Sequence, residues 1–156
     1  MVELTVSQKI EQAMKTAARA RSADLATLRL LKAALQNEAI AFRGKGQTLT
    51  ATDELTVVRR ELKRRQEAAE LYKNNNRPEL AAREEAETKV LRRYLPPPPA
   101  IEEVRQTVKN LQQQLVLSGP AAAGQLIKAV LGYYQGAVDG STVSQEVRRI
   151  LTPDSQ

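Results

Sequence analysis

The densest group of side chains that could do chemistry in this chain is cationic. Five basic residues fall within seven positions, and we call them the basic strip: Arg59, Arg60, Lys63, Arg64 and Arg65. If the segment is helical, the first four lie within one sector of about 140°, because each residue adds ~100°. Guanidinium groups in such a row can grip phosphate oxygens and release the counterions of a polyanion. The competing interpretation is a solvated helix face, since Glu67 lies four residues after Lys63.

A second charged segment, 79–93, mixes carboxylates with basic residues. Its members are Glu79, Glu84, Glu85 and Glu87, with Arg83, Lys89, Arg92 and Arg93 between and after them. Paired carboxylates can carry out acid–base chemistry or bind a hard cation. The interleaved basic residues favour ion pairs within one helix instead, so we predict no metal site here.

The chain has no His and no Cys, and aromatic residues make up only 3% of it. The usual general base near neutral pH, the imidazole and thiolate metal ligands and the thiol nucleophile are therefore absent. Base stacking on aromatic platforms is also disfavoured. No Ser–Lys pair with a supporting loop stands out. We predict no catalytic residue and no cofactor.

Five of the seven glycines fall within 22 residues: Gly119, Gly124, Gly132, Gly136 and Gly140. Their spacing matches neither the dinucleotide-binding nor the P-loop motif. Gly124 interrupts a helical pattern, where it costs ~1 kcal/mol relative to Ala. This favours close packing of a helix of the same domain against Gly124, or else of a partner's backbone.

Helical periodicity runs through nearly the whole chain, which predicts an all-α protein. Capping-box spacing at Thr5 and Gln8, and at Thr50 and Asp53, marks two helix starts. Asn74–Asn76 and the glycines at 44 and 46 favour helix ends. The predicted helices are 6–21, 24–42, 50–72, 78–95, 100–117, 120–134 and 141–151.

Four consecutive prolines at 96–99 predict the main boundary, because they cannot continue a helix and favour an extended spacer of ~12 Å. We predict a four-helix N-terminal domain (1–95), a proline hinge (96–99), a small three-helix C-terminal domain (100–152) and a tail (153–156). The first 95 residues hold 19 basic and 13 acidic residues, and the remainder holds five of each, so the net charge of +6 belongs to the N-terminal domain. A basic half of this kind favours a polyanionic partner.

The chain contains no apolar run of ~20 residues, and its N-terminal segment lacks the charged-then-apolar order of a signal peptide. Together with the absence of Cys, this leads us to expect a cytoplasmic protein without membrane association.

Several segments, in their order and spacing, resemble the YqeY-like proteins over nearly the full length. They are 28–40 (LRLLKAALQNEAI), 63–68 (KRRQEA), 77–81 (RPELA), 84–87 (EEAE) and 94–96 (YLP), followed by Gly124, Gln125, Lys128, Gly136, Asp139, Gly140 and Val143. That family, also called GatB/YqeY, shares a tail module with the GatB component of the tRNA-dependent amidotransferases. In the amidotransferase, the corresponding tail helps hold the tRNA body, while the chemistry takes place in other domains and subunits.

The resemblance implies two helical parts and a role near tRNA. It also implies that Lys128 is a nucleic-acid contact, and that Gly124, Gln125 and Gly136 serve helix packing or partner contact. Ala137 and Val138 stand where the family usually has a basic residue and then Ala, which shifts the expected phosphate contact towards the basic strip.

Three hypotheses follow. The first is a non-catalytic accessory module that binds tRNA or the machinery that handles it. The second is a protein-interaction module that docks on an amidotransferase or an aminoacyl-tRNA synthetase. The third, by family association, is a component of glutamine-dependent carbon–nitrogen ligase (amidotransferase) activity.

Overall fold

A computed structural model describes residues 2–152 of the chain, and the predicted tail 153–156 lies outside the described residues. Within 2–152 there are seven α-helices, a short 3-10 turn at Pro120–Ala122 and no strand, which confirms the all-α prediction. The helices are α1 (Val6–Arg19), α2 (Asp24–Gly44), α3 (Ala51–Asn74), α4 (Pro78–Arg92), α5 (Ile101–Gln114), α6 (Ala123–Tyr134) and α7 (Gly140–Leu151).

The predicted capping boxes begin α1 and α3. Thr5 accepts a hydrogen bond from the backbone N–H of Gln8 at 3.3 Å, and the Gln8 side chain accepts one from Thr5 N at 2.9 Å. Thr50 and Asp53 make the same reciprocal pair, at 3.2 and 2.8 Å. Each box satisfies N–H groups that the first helical turn leaves without a partner.

A left-handed residue follows the last turn of α1, α2, α3 and α5. Of these helices, α1 and α5 end earlier than predicted, whereas α2 and α3 extend two residues beyond their predicted ends. After α1, the N–H of Ser22 donates to Ala17 O at 2.9 Å, and that of Arg21 donates to Ala18 O at 3.3 Å. This is a Schellman motif, with Arg21 in the left-handed position (φ 51°). The same arrangement ends α2, α3 and α5, with Gly46, Asn76 and Val116 in the left-handed position.

Backbone contacts divide the chain into two compact units, Met1–Pro96 (unit 1) and Pro97–Gln156 (unit 2). In unit 1, α2 packs against α1, α3 and α4. Its predicted apolar stripe supplies Leu28, Leu31 and Leu35 to the core, where they meet Ile10 of α1 and Leu91 of α4. The core therefore joins all four helices, and it fixes which faces of α3 and α4 remain exposed.

Unit 2 has its own core, built from α5, α6 and α7. Val108, Leu126, Val130 and Val143 are fully buried in it. Beside this core, the buried carboxylate of Glu146 accepts a hydrogen bond from Nε of Arg105 at 2.7 Å, which ties α7 to α5.

None of the helices within 2–152 combines the length and the apolar character that a membrane span requires.

Candidate functional site

The basic strip lies on α3, and its members differ in how far they are exposed to solvent. Arg60, Lys63 and Arg64 are exposed, whereas Arg59 and Arg65 are partly buried. The four residues predicted to share a sector do lie on the solvent side of α3 to different degrees. Arg65 belongs to another face, one that turns towards α4.

Arg65 is held between two carboxylates of α4. Its side chain is only 16% exposed; Nη1 lies in contact with Glu87 and 3.4 Å from Oε2 of Glu84. The buried Nε has no acceptor in the described part of the chain, and Oε2 of Glu87 meets Nη1 as an ion pair without hydrogen-bond geometry. This guanidinium stabilises the α3–α4 packing and presents little surface to a ligand.

The glutamates of α4 were predicted to pair within their own helix, and for three of them this was mainly wrong. Glu84 and Glu87 contact Arg65, and Oε1 of Glu85 lies 2.7 Å from Nζ of Lys73, so the pairs run from α4 to α3. Within α4, Nε of Arg83 lies 3.8 Å from Glu87. The Lys73 ammonium holds the pKa of the Glu85 carboxyl below its usual value. Because α3 and α4 pack side by side, the glutamates of α4 face basic side chains of α3. They pair with these in preference to the basic residues of their own helix.

Two further members of the strip have carboxylate partners. Nη2 of Arg60 lies 2.9 Å from Oε2 of Glu38 on α2, and Nζ of Lys63 lies 3.9 Å from Glu67 on α3. Burial lowers the pKa of the Arg59 guanidinium from its ordinary value. Arg64 is the one member of the strip that is exposed and forms no ion pair with any described residue.

A cavity of ≈ 580 Å³ lies beside the strip, between α2, α3 and α4 of unit 1. Its apolar lining includes Leu30, Ala34 and Ala68, and its charged lining consists of Arg60, Arg64, Arg65, Glu38, Glu61 and Glu84. Three positive and three negative side chains leave no net charge to select an anion. The cavity therefore carries no argument for a phosphate pocket.

The glycine-containing face of α6 is open. Gly124, Gln125 and Lys128 are all exposed, and a Cβ added at Gly124 would meet no other described atom within 4 Å. The prediction that Gly124 permits close packing within its own domain was therefore wrong. Gly132, two turns further on, is equally open.

Gly136 has a backbone requirement. Its φ is 89°, which an L side chain rarely adopts, and it follows Gln135 in the left-handed region. Three residues later, Asp139 caps α7 by accepting from Thr142 N at 2.9 Å and from the Ser141 hydroxyl at 2.6 Å. These hydrogen bonds lower the pKa of the Asp139 carboxyl to about 2. The turn between α6 and α7 therefore accounts for Gly136 without any contact to a partner.

Within 2–152, no group of three or more acidic side chains is arranged to hold a metal ion.

Unit 1 keeps many cations that no carboxylate neutralises, and sequence reasoning concentrated on the wrong ones. Of its nineteen basic residues, nine are in ion pairs. Nine others are exposed and form no ion pair within the described chain: Lys15, Arg19, Arg21, Arg29, Arg43, Lys45, Arg64, Lys89 and Arg92. Only Arg64 belongs to the strip. The other eight could have been found from the scarcity of acidic residues around them in the sequence. A search for dense clusters of basic residues overlooks this signal.

The model of the family described as Yqey-like protein matches residues 7–151 of the chain. A comparison with curated proteins found no match.

Proposed function

Because the chain belongs to the YqeY-like family, we propose that it is a non-catalytic accessory module that binds RNA of the tRNA class. The machinery that handles tRNA, an amidotransferase or an aminoacyl-tRNA synthetase, is the proposed setting, and the cytoplasm is the proposed compartment. No reaction is assigned to the chain itself.

The observation that carries this proposal is the uncompensated positive charge of unit 1. Its nine exposed cations without ion pairs compare with three carboxylates that contact no basic side chain: Asp53, Glu54 and Glu61. Two of these three are already engaged by hydroxyl or backbone groups of Thr50 and Ser7. A rigid helical scaffold that keeps a surplus of exposed cations is suited to a polyanion.

Phosphate contact is the mode of binding that these side chains allow. Aromatic residues are scarce, so recognition by stacked bases has few groups to use. Arg and Lys side chains hydrogen-bond phosphate oxygens, and such contacts orient the protein on the RNA without reading its sequence. We propose Arg60, Lys63 and Arg64 as contacts from the basic strip and Lys128 from α6; Arg59 and Arg65, which are partly buried, are expected to contribute less.

Titration of labelled bulk tRNA with the full-length protein at two salt concentrations tests the proposal. The logarithm of the association constant should fall linearly with the logarithm of the salt concentration. The slope should be ~0.7–0.9 for each phosphate contacted. The control ligand is polyglutamate of comparable charge, which offers carboxylates in place of phosphates. If tRNA binds no more tightly than polyglutamate, the tRNA assignment is wrong.

A second function, docking on a protein of the tRNA machinery, is favoured by the open face of α6. Mid-helix glycine costs ~1 kcal/mol relative to Ala, and neither Gly124 nor Gly132 offsets this by close packing with a described residue. Docking predicts that Gly124→Leu abolishes co-purification of a partner and leaves tRNA affinity unchanged. Under the leading proposal without docking, Gly124→Leu leaves the set of co-purifying proteins as it is.

A further inference from the structure

One end of unit 1 brings the end of α4 next to the turn between α1 and α2, which is distant from it in sequence. Nη1 of Arg93, the C-cap residue of α4, lies 2.8 Å from Oδ2 of Asp24, the first residue of α2. The turn from α1 to α2 contains only four residues, 20–23. Arg19 and Arg21 therefore lie at this same end, close to Asp24 and Arg93.

The two stretches that form this end are almost free of acidic residues. Residues 15–30 and 88–95 together contain seven basic residues and one acidic residue, Asp24. All seven basic side chains are exposed, and Arg93 is the one that pairs with a carboxylate. We call four of them, which surround the meeting point of the termini, the basic end: Arg19, Arg21, Arg92 and Arg93.

Helix dipoles alone do not account for so much positive charge. Cations are favoured at helix C-termini, and the ends of α1 and α4 each carry about −0.5 charge, while the start of α2 carries about +0.5. Adding the Asp24 carboxylate gives roughly −1.5, against four guanidinium groups. The basic end therefore keeps a surplus of roughly two to three positive charges, whereas Arg60, Lys63 and Arg65 of the strip face carboxylates of their own.

We propose that the basic end is the principal phosphate-binding surface of the protein, and that its ligand is the phosphodiester backbone of an RNA. This inference rests on the proposed function, and it moves the main contact from the middle of α3 to the end of the unit. All four cations are Arg, whose planar fork can bind two phosphate oxygens at once, in contrast to the point charge of Lys.

An anionic membrane is the weaker candidate for the same charge. Interfacial binding combines basic residues with exposed apolar side chains that enter the bilayer. The large apolar side chains exposed on unit 1 are Val2, Leu4, Leu30, Ile40 and Leu71. Of these, only Leu30 falls within 15–30 or 88–95, and it lies in the second turn of α2, where it lines the cavity between α2, α3 and α4. The basic end has charge without an apolar anchor, as a phosphate-tracking surface does.

Two triple variants of the full-length protein, matched in charge, separate the two surfaces. One is Arg19→Gln/Arg21→Gln/Arg92→Gln at the basic end; the other is Arg60→Gln/Lys63→Gln/Arg64→Gln on the strip. Each removes three positive charges from unit 1. With labelled bulk tRNA as the probe, we expect the first to lose affinity about tenfold or more and to lower the salt slope by about 2–3, since three phosphate contacts disappear. The second should lose about threefold or less.

A charge-retaining variant, Arg19→Lys/Arg21→Lys/Arg92→Lys, separates electrostatics from damage to the fold. It should keep the salt slope of the wild type, because each Lys can still neutralise one phosphate. Exposed substitutions of this kind usually have little effect on stability, and circular dichroism and thermal unfolding check this for all three variants.

The outcomes distinguish the inference from the function on which it rests. Wild-type protein that prefers polyglutamate, or vesicles containing phosphatidylglycerol, to tRNA overturns the proposed function. Wild-type protein that prefers tRNA, with equal losses in the two Gln triples, overturns only the inference, because binding would then follow total charge. A larger loss in the strip triple overturns the inference as well.

Discussion

Two exposed residues occupy left-handed backbone positions that glycine would fill at lower cost. Arg21 follows α1 with φ 51°, and Val116 follows α5 with φ 53° and is 88% exposed. An L residue in this region costs roughly 1–2 kcal/mol, and a β-branched residue is the least suited to it. The two positions are equivalent in backbone geometry, and they differ in the charge that the side chain carries.

Substituting glycine at each position separates the cost of the backbone from the use of the side chain. Val116→Gly should stabilise the protein by about 0.5–1 kcal/mol, after allowing for the greater freedom of glycine in the unfolded chain. Its affinity for tRNA should not change. Arg21→Gly should leave stability equal or slightly higher, because loss of a cation near the α1 C-terminus offsets part of the gain, yet it should weaken tRNA binding. Thermal unfolding and tRNA titration of both variants measure this; full affinity in Arg21→Gly would contradict a role for the side chain.

For single residues, the sequence shows which side chains are charged, but it does not show which of them pair with an opposite charge. Arg65 and Arg64 are neighbours of the same type, and nothing local distinguishes them. Arg65 meets Glu84 and Glu87 only because α4 folds back onto α3, and Arg60 meets Glu38 only across α2. Identifying which cations stay free required the packing of the helices, and hence the structure.

The helices themselves were largely predictable, because their starts are encoded locally. Thr5 with Gln8 and Thr50 with Asp53 begin α1 and α3 at the expected residues. Their ends were predicted less well: α1 stops at Arg19 and not at 21, and α5 at Gln114 and not at 117. A Schellman end needs a left-handed residue, and where that residue is Val or Arg in place of Gly or Asn, composition gives no warning.

The capping of α7 by Asp139 predicts a pH dependence of stability. Hydrogen bonds from Ser141 and Thr142 lower the folded-state pKa to about 2, from an ordinary value of 3.8. Since the folded pKa is the lower one, the stabilisation is complete above pH ~4 and is lost as the pH falls through about 2. The carboxyl is largely exposed, so we expect at most about 1 kcal/mol, the usual worth of an N-cap.

Asp139→Asn isolates this contribution, because Asn caps about as well as Asp and does not titrate. The wild type should lose stability relative to Asp139→Asn between pH 4 and pH 2, as followed by thermal unfolding monitored by circular dichroism. A stability difference that stays constant over this range would mean that the Asp139 carboxylate does not stabilise α7.

Each of the two units has its own core, and their surface charges differ. The first 95 residues carry the whole net charge of +6, while the remainder carries five basic and five acidic residues. In unit 2, Arg105 and Arg149 both contact Glu146. This asymmetry was visible in the sequence before any helix was assigned, since it depends on counts along the chain and not on packing.

If the main phosphate contacts belong to unit 1, neutralising cations of unit 2 other than Lys128 should have little effect. Lys109 and Arg148 are exposed and form no ion pair with the rest of the described chain, as is also true of Arg21 and Arg92. We therefore expect Lys109→Gln/Arg148→Gln to weaken tRNA binding less than about twofold, and Arg21→Gln/Arg92→Gln to weaken it several-fold and to lower the salt slope by about 1.5. Both double variants reduce the net charge of the whole molecule from +6 to about +4, so a long-range field acting on the RNA would change equally in the two. Titrations at 50 and 200 mM salt compare them directly. Equal losses of affinity in the two double variants would show that the RNA responds to the total charge of the molecule. The assignment of phosphate binding to unit 1 would then have no support.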